Sequence, residues 1–194
     1  MLLLSSIFDS VAASPSRTAL QYRDTLIRNA RLVWGLNAPI ADFAAQIHHE
    51  SSWKPDITNA IGAQGLAQFM PATTEWLGNL IPRLDEKTPL NPTWSIRALV
   101  HYDRWLWERV QADNSCEHMA MTLSAYNGGL GWVKRDVQLA KHQGFNILRW
   151  FGEVELVNAG RRQSAWQENR HYPRHILLTL SPRYLVWGGG MCVR

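Results

Sequence analysis

The sequence predicts a mainly α fold in a single domain, on three observations. Apolar residues recur at three- and four-residue spacing in one segment after another, cap-forming residues bracket those segments, and strand-like alternation is scarce. With 194 residues, 46% of them hydrophobic, the chain is long enough to bury one substantial core.

The first helix is expected from "SPSRTALQYRDTLIRNARLVWG", with Ser14 as N-cap, Pro15 at the first helical position and Gly35 as the stop. Ala19, Tyr22, Leu26, Ala30 and Val33 give it one apolar face. A second helix follows "NAP", where Ile40, Phe43, Ala44 and Ile47 repeat at helical spacing. Asn91 and Pro92 open a further helix that carries Leu99, Tyr102 and Leu106 on one side. "EHMAMTLSAYNGG" places Met119, Leu123 and Tyr126 together and stops at Asn127 and Gly128. "EVELV" is at most one short strand, and "NRHYPRHILLTL" reads as a last helix entered near Pro173. Residues 1–36 are expected to form an N-terminal helical extension packed on a domain spanning 37–194.

Composition narrows the partners. The 20 Lys and Arg against 16 Asp and Glu give a formal charge of +4, which suits an anionic partner such as nucleic acid, a membrane surface or a cell-wall polymer. "RDVQLAKHQG" and "AGRRQ" come with no recognition motif, so they read as solvated surface and no nucleic-acid partner is expected. "MLLLSSIF" lacks a basic flank and is too short for a leader or a membrane span, so neither export signal nor stable membrane insertion is expected. Cys116 and Cys192 form no metal-ligand cluster, and two cysteines in a chain of this size make no disulfide scaffold, so a structural disulfide is not expected.

Chemistry enters at "IHHESSWKP". Phe43, Ile47 and Glu50 are spaced by four and three, so the Glu50 carboxyl continues the apolar face of its helix and should be partly buried. Desolvation and the negative helix end would both raise its pKa, which fits a general acid; on spacing alone an ordinary helix-terminal Glu exposed to water is the favoured reading, and the motif that follows shifts the balance. His48 and His49 point to different sides of the helix, and His171 and His175 lack an HExxH partner, with Pro173 disturbing their turn; no metal and no cofactor are expected.

"ESSWKP", "IGAQGLAQFMP", "SAYNGG" and "ENRHYPRHI" resemble, in that order, the signature elements of the soluble lytic transglycosylase family, glycoside hydrolase family 23. Its catalytic domain is lysozyme-like and shares its fold with goose-type lysozymes. The resemblance covers roughly Ile40 to Leu180. It implies that Glu50 is the sole catalytic acid/base, that Gln68 and Met70 line a sugar groove, that Tyr126 and Asn127 sit opposite the acid, and that Tyr172 lies near the carboxylate. Two positions depart from the family pattern: Ala67 stands where the usual tetrad has methionine, and Asn59 where many members carry a serine that would hold an acetamido group.

The implied activity is cleavage of the bond between N-acetylmuramic acid and N-acetylglucosamine with formation of a 1,6-anhydro ring, on peptidoglycan glycan strands and by a monomer. Glycoside cleavage ordinarily uses two carboxylates. The motif region offers one; Asp56, Asp85, Asp103, Asp113 and Asp136 read as structural or solvated. The alternatives are a hydrolytic muramidase and a non-catalytic wall-binding or virion module. The setting expected for the enzyme is a phage endolysin, made in the host cytoplasm and released by a holin. Most of the ten tryptophans read as core or groove-wall packing.

Overall fold

The computed structural model describes residues 14–192. The "MLLLSSIF" segment lies outside the described residues. Among the described residues, seven α-helices are joined by loops and short 3₁₀ turns: α1 Arg17–Trp34, α2 Ile40–Ser51, α3 Pro71–Leu80, α4 Pro92–Trp107, α5 Ser115–Gly128, α6 Leu130–His142 and α7 Gln163–Arg174. No strand occurs among the described residues. "EVELV", expected as at most a short strand, contains a 3₁₀ turn at Val154–Leu156.

The predicted boundaries hold to within a few residues. α1 starts later than expected, because the hydroxyl of Ser16 rather than Ser14 accepts from the Ala19 amide; Gly35 ends the helix with φ at 80°. The Asn91 side chain caps α4 by accepting from the amides of Thr93 and Trp94, and Asn114 caps α5 from Cys116 and Glu117. Pro173 does not open the last helix. It sits inside α7, and the chain runs on through a π-helical turn, His175–Leu180, and a 3₁₀ turn, Ser181–Tyr184.

The centre of the molecule is α2. The sequence marks one stripe, but the helix is buried all round, including Asp42 and Gln46. Asp42 accepts from the Ser181 hydroxyl at 2.6 Å and the Met191 amide at 2.8 Å, and burial lifts its pKa to about 6. The turns after α7 close one side of α2, and α1 packs along both α2 and α4. The Trp34 indole of α1 donates to the Val100 carbonyl of α4 at 2.9 Å.

Cys116 and Cys192 form a disulfide, contrary to the sequence expectation. It ties the start of α5 to the C-terminal tail across 76 positions. Pairing at that separation is set by tertiary packing, and the spacing of two cysteines carries no sign of it.

Candidate active site

Glu50 is the penultimate residue of α2. Immediately after the helix, Ser52 and Trp53 adopt left-handed backbone with φ at 52° and 66°. That conformation costs a non-glycine residue about 1–2 kcal/mol, and tertiary contacts hold it. The buried Trp53 indole donates to Tyr184 Oη at 2.8 Å, and its ring packs with Trp187 and Tyr184. The chain therefore turns sharply off α2 and leaves the carboxyl of Glu50 facing a cleft.

The loop over the cleft is a small bridged unit, with Gln64 pairing to Thr58 on one side and Phe69 on the other. Gly65 is obligatory there: its φ is 74°, and a Cβ would lie 1.9 Å from the Pro89 carbonyl oxygen. The Asn59 side-chain oxygen accepts from the amides of Ile61 and Ala63 at 3.0 and 2.9 Å. Asn59 thus staples the loop, and its amide nitrogen is the group left to donate to a ligand. Gln68 has φ at 49° and donates from Nε2 to the Gly65 carbonyl at 2.9 Å, so its side-chain oxygen is the group left to accept. Ala67 is fully buried, its amide bonded to the Ser95 hydroxyl; the alanine-for-methionine departure falls in packed interior.

Glu50, Asn59, Gln68, Met70, Tyr126 and Asn127 all line one cleft of about 200 Å³. Tyr172 reaches the acid from its flank: the hydroxyl donates to Oε1 of Glu50. Tyr126 stacks on Tyr172 with ring centroids 6.4 Å apart, but its hydroxyl donates to the Ala67 carbonyl at 2.8 Å, so it anchors the loop rather than bonding the acid. Asn127 accepts from Asn169 at 3.0 Å.

Burial raises the Glu50 pKa to about 8, the Tyr172 hydrogen bond lowers it in part, and the charge of Glu168 adds to the rise. The carboxyl is therefore protonated at neutral pH. His49 lies edge-on to Tyr172 at 4.8 Å, and its Nδ1 is 2.9 Å from Nδ1 of His175. Burial and the neighbouring histidines lower the His49 pKa to about 4, so it backs Tyr172 as a neutral ring. His48 bonds Tyr184, which fits a packing role.

The orientation of Tyr172 comes from a polar network under α7. Asn169 exchanges hydrogen bonds with the hydroxyl and carbonyl of Ser124 on α5, both at 2.8 Å. Arg170 donates to Asp136, to the Val157 carbonyl and to the Glu155 carbonyl. Buried and satisfied, these bonds fix the rotation of α7 and with it the phenol.

Sequence reasoning missed Glu168, which lines the same cleft as Glu50. The signal was available, since Glu168 stands four residues before Tyr172 and so on the same helical face. Thr73 and Tyr102 also line the cleft without having been marked. Asp103 is fully buried, one of its oxygens without a partner, and desolvation holds its pKa well above the carboxylate range. It lies behind the wall of the cleft rather than in it.

Residues 34–148 match the family described as "Transglycosylase SLT domain". The chain belongs to that family. Tyr172 lies beyond the matched span, and its hydrogen bond to Glu50 joins it to the SLT-domain acid. Membrane-bound lytic murein transglycosylase F of Pasteurella multocida is 32% identical over 120 residues, covering 61% of this chain and 22% of that protein. The protein of the same name from Yersinia enterocolitica is 28% identical over 162 residues, covering 81% and 31%. The chain thus spans less than a third of the length of these relatives. The 70 kDa soluble lytic transglycosylase of Escherichia coli shares the fold, with a TM-score of 0.62 at 22% identity over 88% of this chain and 25% of that one. No helix among the described residues is long and apolar enough to cross a membrane.

Proposed function

We propose that this SLT domain is a peptidoglycan lytic transglycosylase with Glu50 as its acid and base. The observation that carries the reading is a carboxyl on the wall of a cleft that accepts a hydrogen bond from a buried tyrosine, its pKa raised by burial. The names of the relatives, lytic murein transglycosylases, support the same substrate.

Tyr172 occupies Oε1, so the acidic proton belongs to the other oxygen, Oε2. Donated to the glycosidic oxygen, it lets the bond to the muramyl C1 break. The Tyr172 hydroxyl then stabilises the new carboxylate, and the N-acetyl group of the muramyl residue is available to hold C1. Glu50 next removes the proton of the muramyl C6 hydroxyl, whose oxygen bonds to C1 and closes the 1,6-anhydro ring. The acid is restored and no water is consumed. Asn59 and Gln68 offer one donor and one acceptor for the sugar amides, and Met70 an apolar contact at the rim.

Glu168 favours a second reading. A carboxylate on the same cleft could activate water, making the protein a hydrolytic muramidase. Its exposure on the rim supports transglycosylation over this second reading. The disulfide supports action in an oxidising compartment outside the cytoplasm. Phage-driven lysis is the proposed setting, and following culture turbidity with and without a co-expressed holin tests it. The enzyme reading is tested by incubating the purified protein with sacculi: wild type should solubilise them and Glu50→Gln should not. Intact sacculi with both proteins would refute it.

A further inference from the structure

A second hollow of about 430 Å³ adjoins the acid's cleft and shares Asn127 and Glu168 with it. Trp132, Arg161, Arg162 and Ala165 form its far walls. Beneath them the charges do not balance. Oδ2 of the buried Asp136 accepts from Nη2 of Arg161 at 2.8 Å and from Nη2 of Arg170 at 2.9 Å, and the other buried acid near Arg170, Glu155, is paired with Arg174, so two carboxylates face three guanidiniums. Arg161 is 8% exposed, and its Nε and Nη1 have no hydrogen-bond partner among the described residues. The Trp132 ring, 5.4 Å from the Arg161 guanidinium carbon, offsets part of that cost through its π face. A buried cation left over in this way calls for an anion.

The backbone adds to the demand. α7 begins beside the hollow with no side-chain cap and no acid in its first turn, where Ala165 sits. Its first amides are free to donate, and the helix end favours negative charge. The exposed side chain of Arg162 stands at the same end. Glu168, on the rim shared with the acid's cleft, is the one carboxylate among the described residues lining this hollow, against the two arginines and the helix end.

We propose that this hollow is an anion subsite that takes a carboxylate of the acidic peptide stem carried by the glycan strand. The proposal rests on the transglycosylase reading. The stem, not the lactyl group, is the source: in a peptide-bearing strand the lactyl carboxyl is in amide linkage, and the nearest free carboxylates lie farther out along the peptide, toward a hollow beside the cleft rather than within it.

The test compares cleavage of peptide-bearing glycan strands with cleavage of the same strands stripped of peptides by an amidase. Wild type should have the higher kcat/KM on peptide-bearing strands. Arg162→Glu, at an exposed position that leaves the fold intact, should lower that preference roughly tenfold, equivalent to about 1.4 kcal/mol. Arg161→Gln should act in the same direction, and Arg162→Glu carries the test where the buried variant fails to fold. An unchanged preference overturns the subsite and leaves the transglycosylase reading standing. A larger loss on stripped strands, where the lactyl carboxylate is free, overturns the peptide assignment. Failure of wild type to cleave either substrate overturns the transglycosylase reading itself, and the subsite with it.

Discussion

Tyr172 donates its phenolic hydrogen to Glu50 across 122 positions of sequence, joining the penultimate residue of α2 to the buried face of α7. The hydrogen bond lowers a carboxyl pKa that burial has raised, and the balance is a group titrating at about 8. Removing the hydroxyl should therefore raise the Glu50 pKa further. Tyr172→Phe is expected to turn over more slowly at neutral pH, with the alkaline limb of its pH-rate profile moved to higher pH. A limb moved to lower pH would contradict the account.

Glu50→Gln should lose roughly 10²–10⁴-fold in rate, the usual contribution of general acid-base catalysis. Its stability should show the opposite sign. The folded pKa of about 8 lies above the ordinary value of 4.5, so between them the folded protein holds a proton that the unfolded chain has released. Wild-type stability therefore falls as pH rises through that window and levels off above about 8. The variant lacks this loss. Thermal unfolding at pH 5 and pH 9 should show its advantage over wild type growing with pH, toward a few kcal/mol; a constant gap would mean that the carboxyl titrates normally.

Much of this geometry was readable from the sequence, for identifiable reasons. Glu50 stood out through the run of motif residues that follows it, since an acid on an apolar stripe reads equally well as an exposed helix end, and the caps at Asn91 and Gly35 are local too. Long-range placement was not readable. The Cys116–Cys192 pair, the burial of α2 on every side and the anchoring of Tyr126 to the Ala67 carbonyl depend on packing between distant segments. Pro173 misled because a proline inside a helix is costly; here the helix tolerates it just before the π-helical turn. Glu168 was passed over although its helical register with Tyr172 was in view.

Glu168→Gln separates the two carboxylates of the cleft. As a rim charge it tunes Glu50 without exchanging protons with substrate, so the variant should lose less than about tenfold in rate, far short of the loss at Glu50. The Glu50 pKa should fall slightly, because a like charge has been removed. A loss matching that of Glu50→Gln would make Glu168 a catalytic base and favour hydrolysis.

The disulfide joins the C-terminal tail to α5 away from the cleft. Cys192→Ser should lower stability by about 2–4 kcal/mol, because the unfolded chain regains the freedom that the closed loop removed. Activity per folded molecule should be retained. Denaturant unfolding under oxidising and reducing conditions checks this, and identical midpoints for wild type under both would contradict it.

In the proposed reaction the muramyl C6 hydroxyl, rather than water, completes what Glu50 begins. Mass spectrometry of the muropeptides released from purified sacculi tests it most directly. Ends of 1,6-anhydro-N-acetylmuramic acid are expected, one water lighter than hydrolysis products and unchanged by borohydride. Predominantly reducible muramic acid ends would contradict it and assign water activation to Glu168.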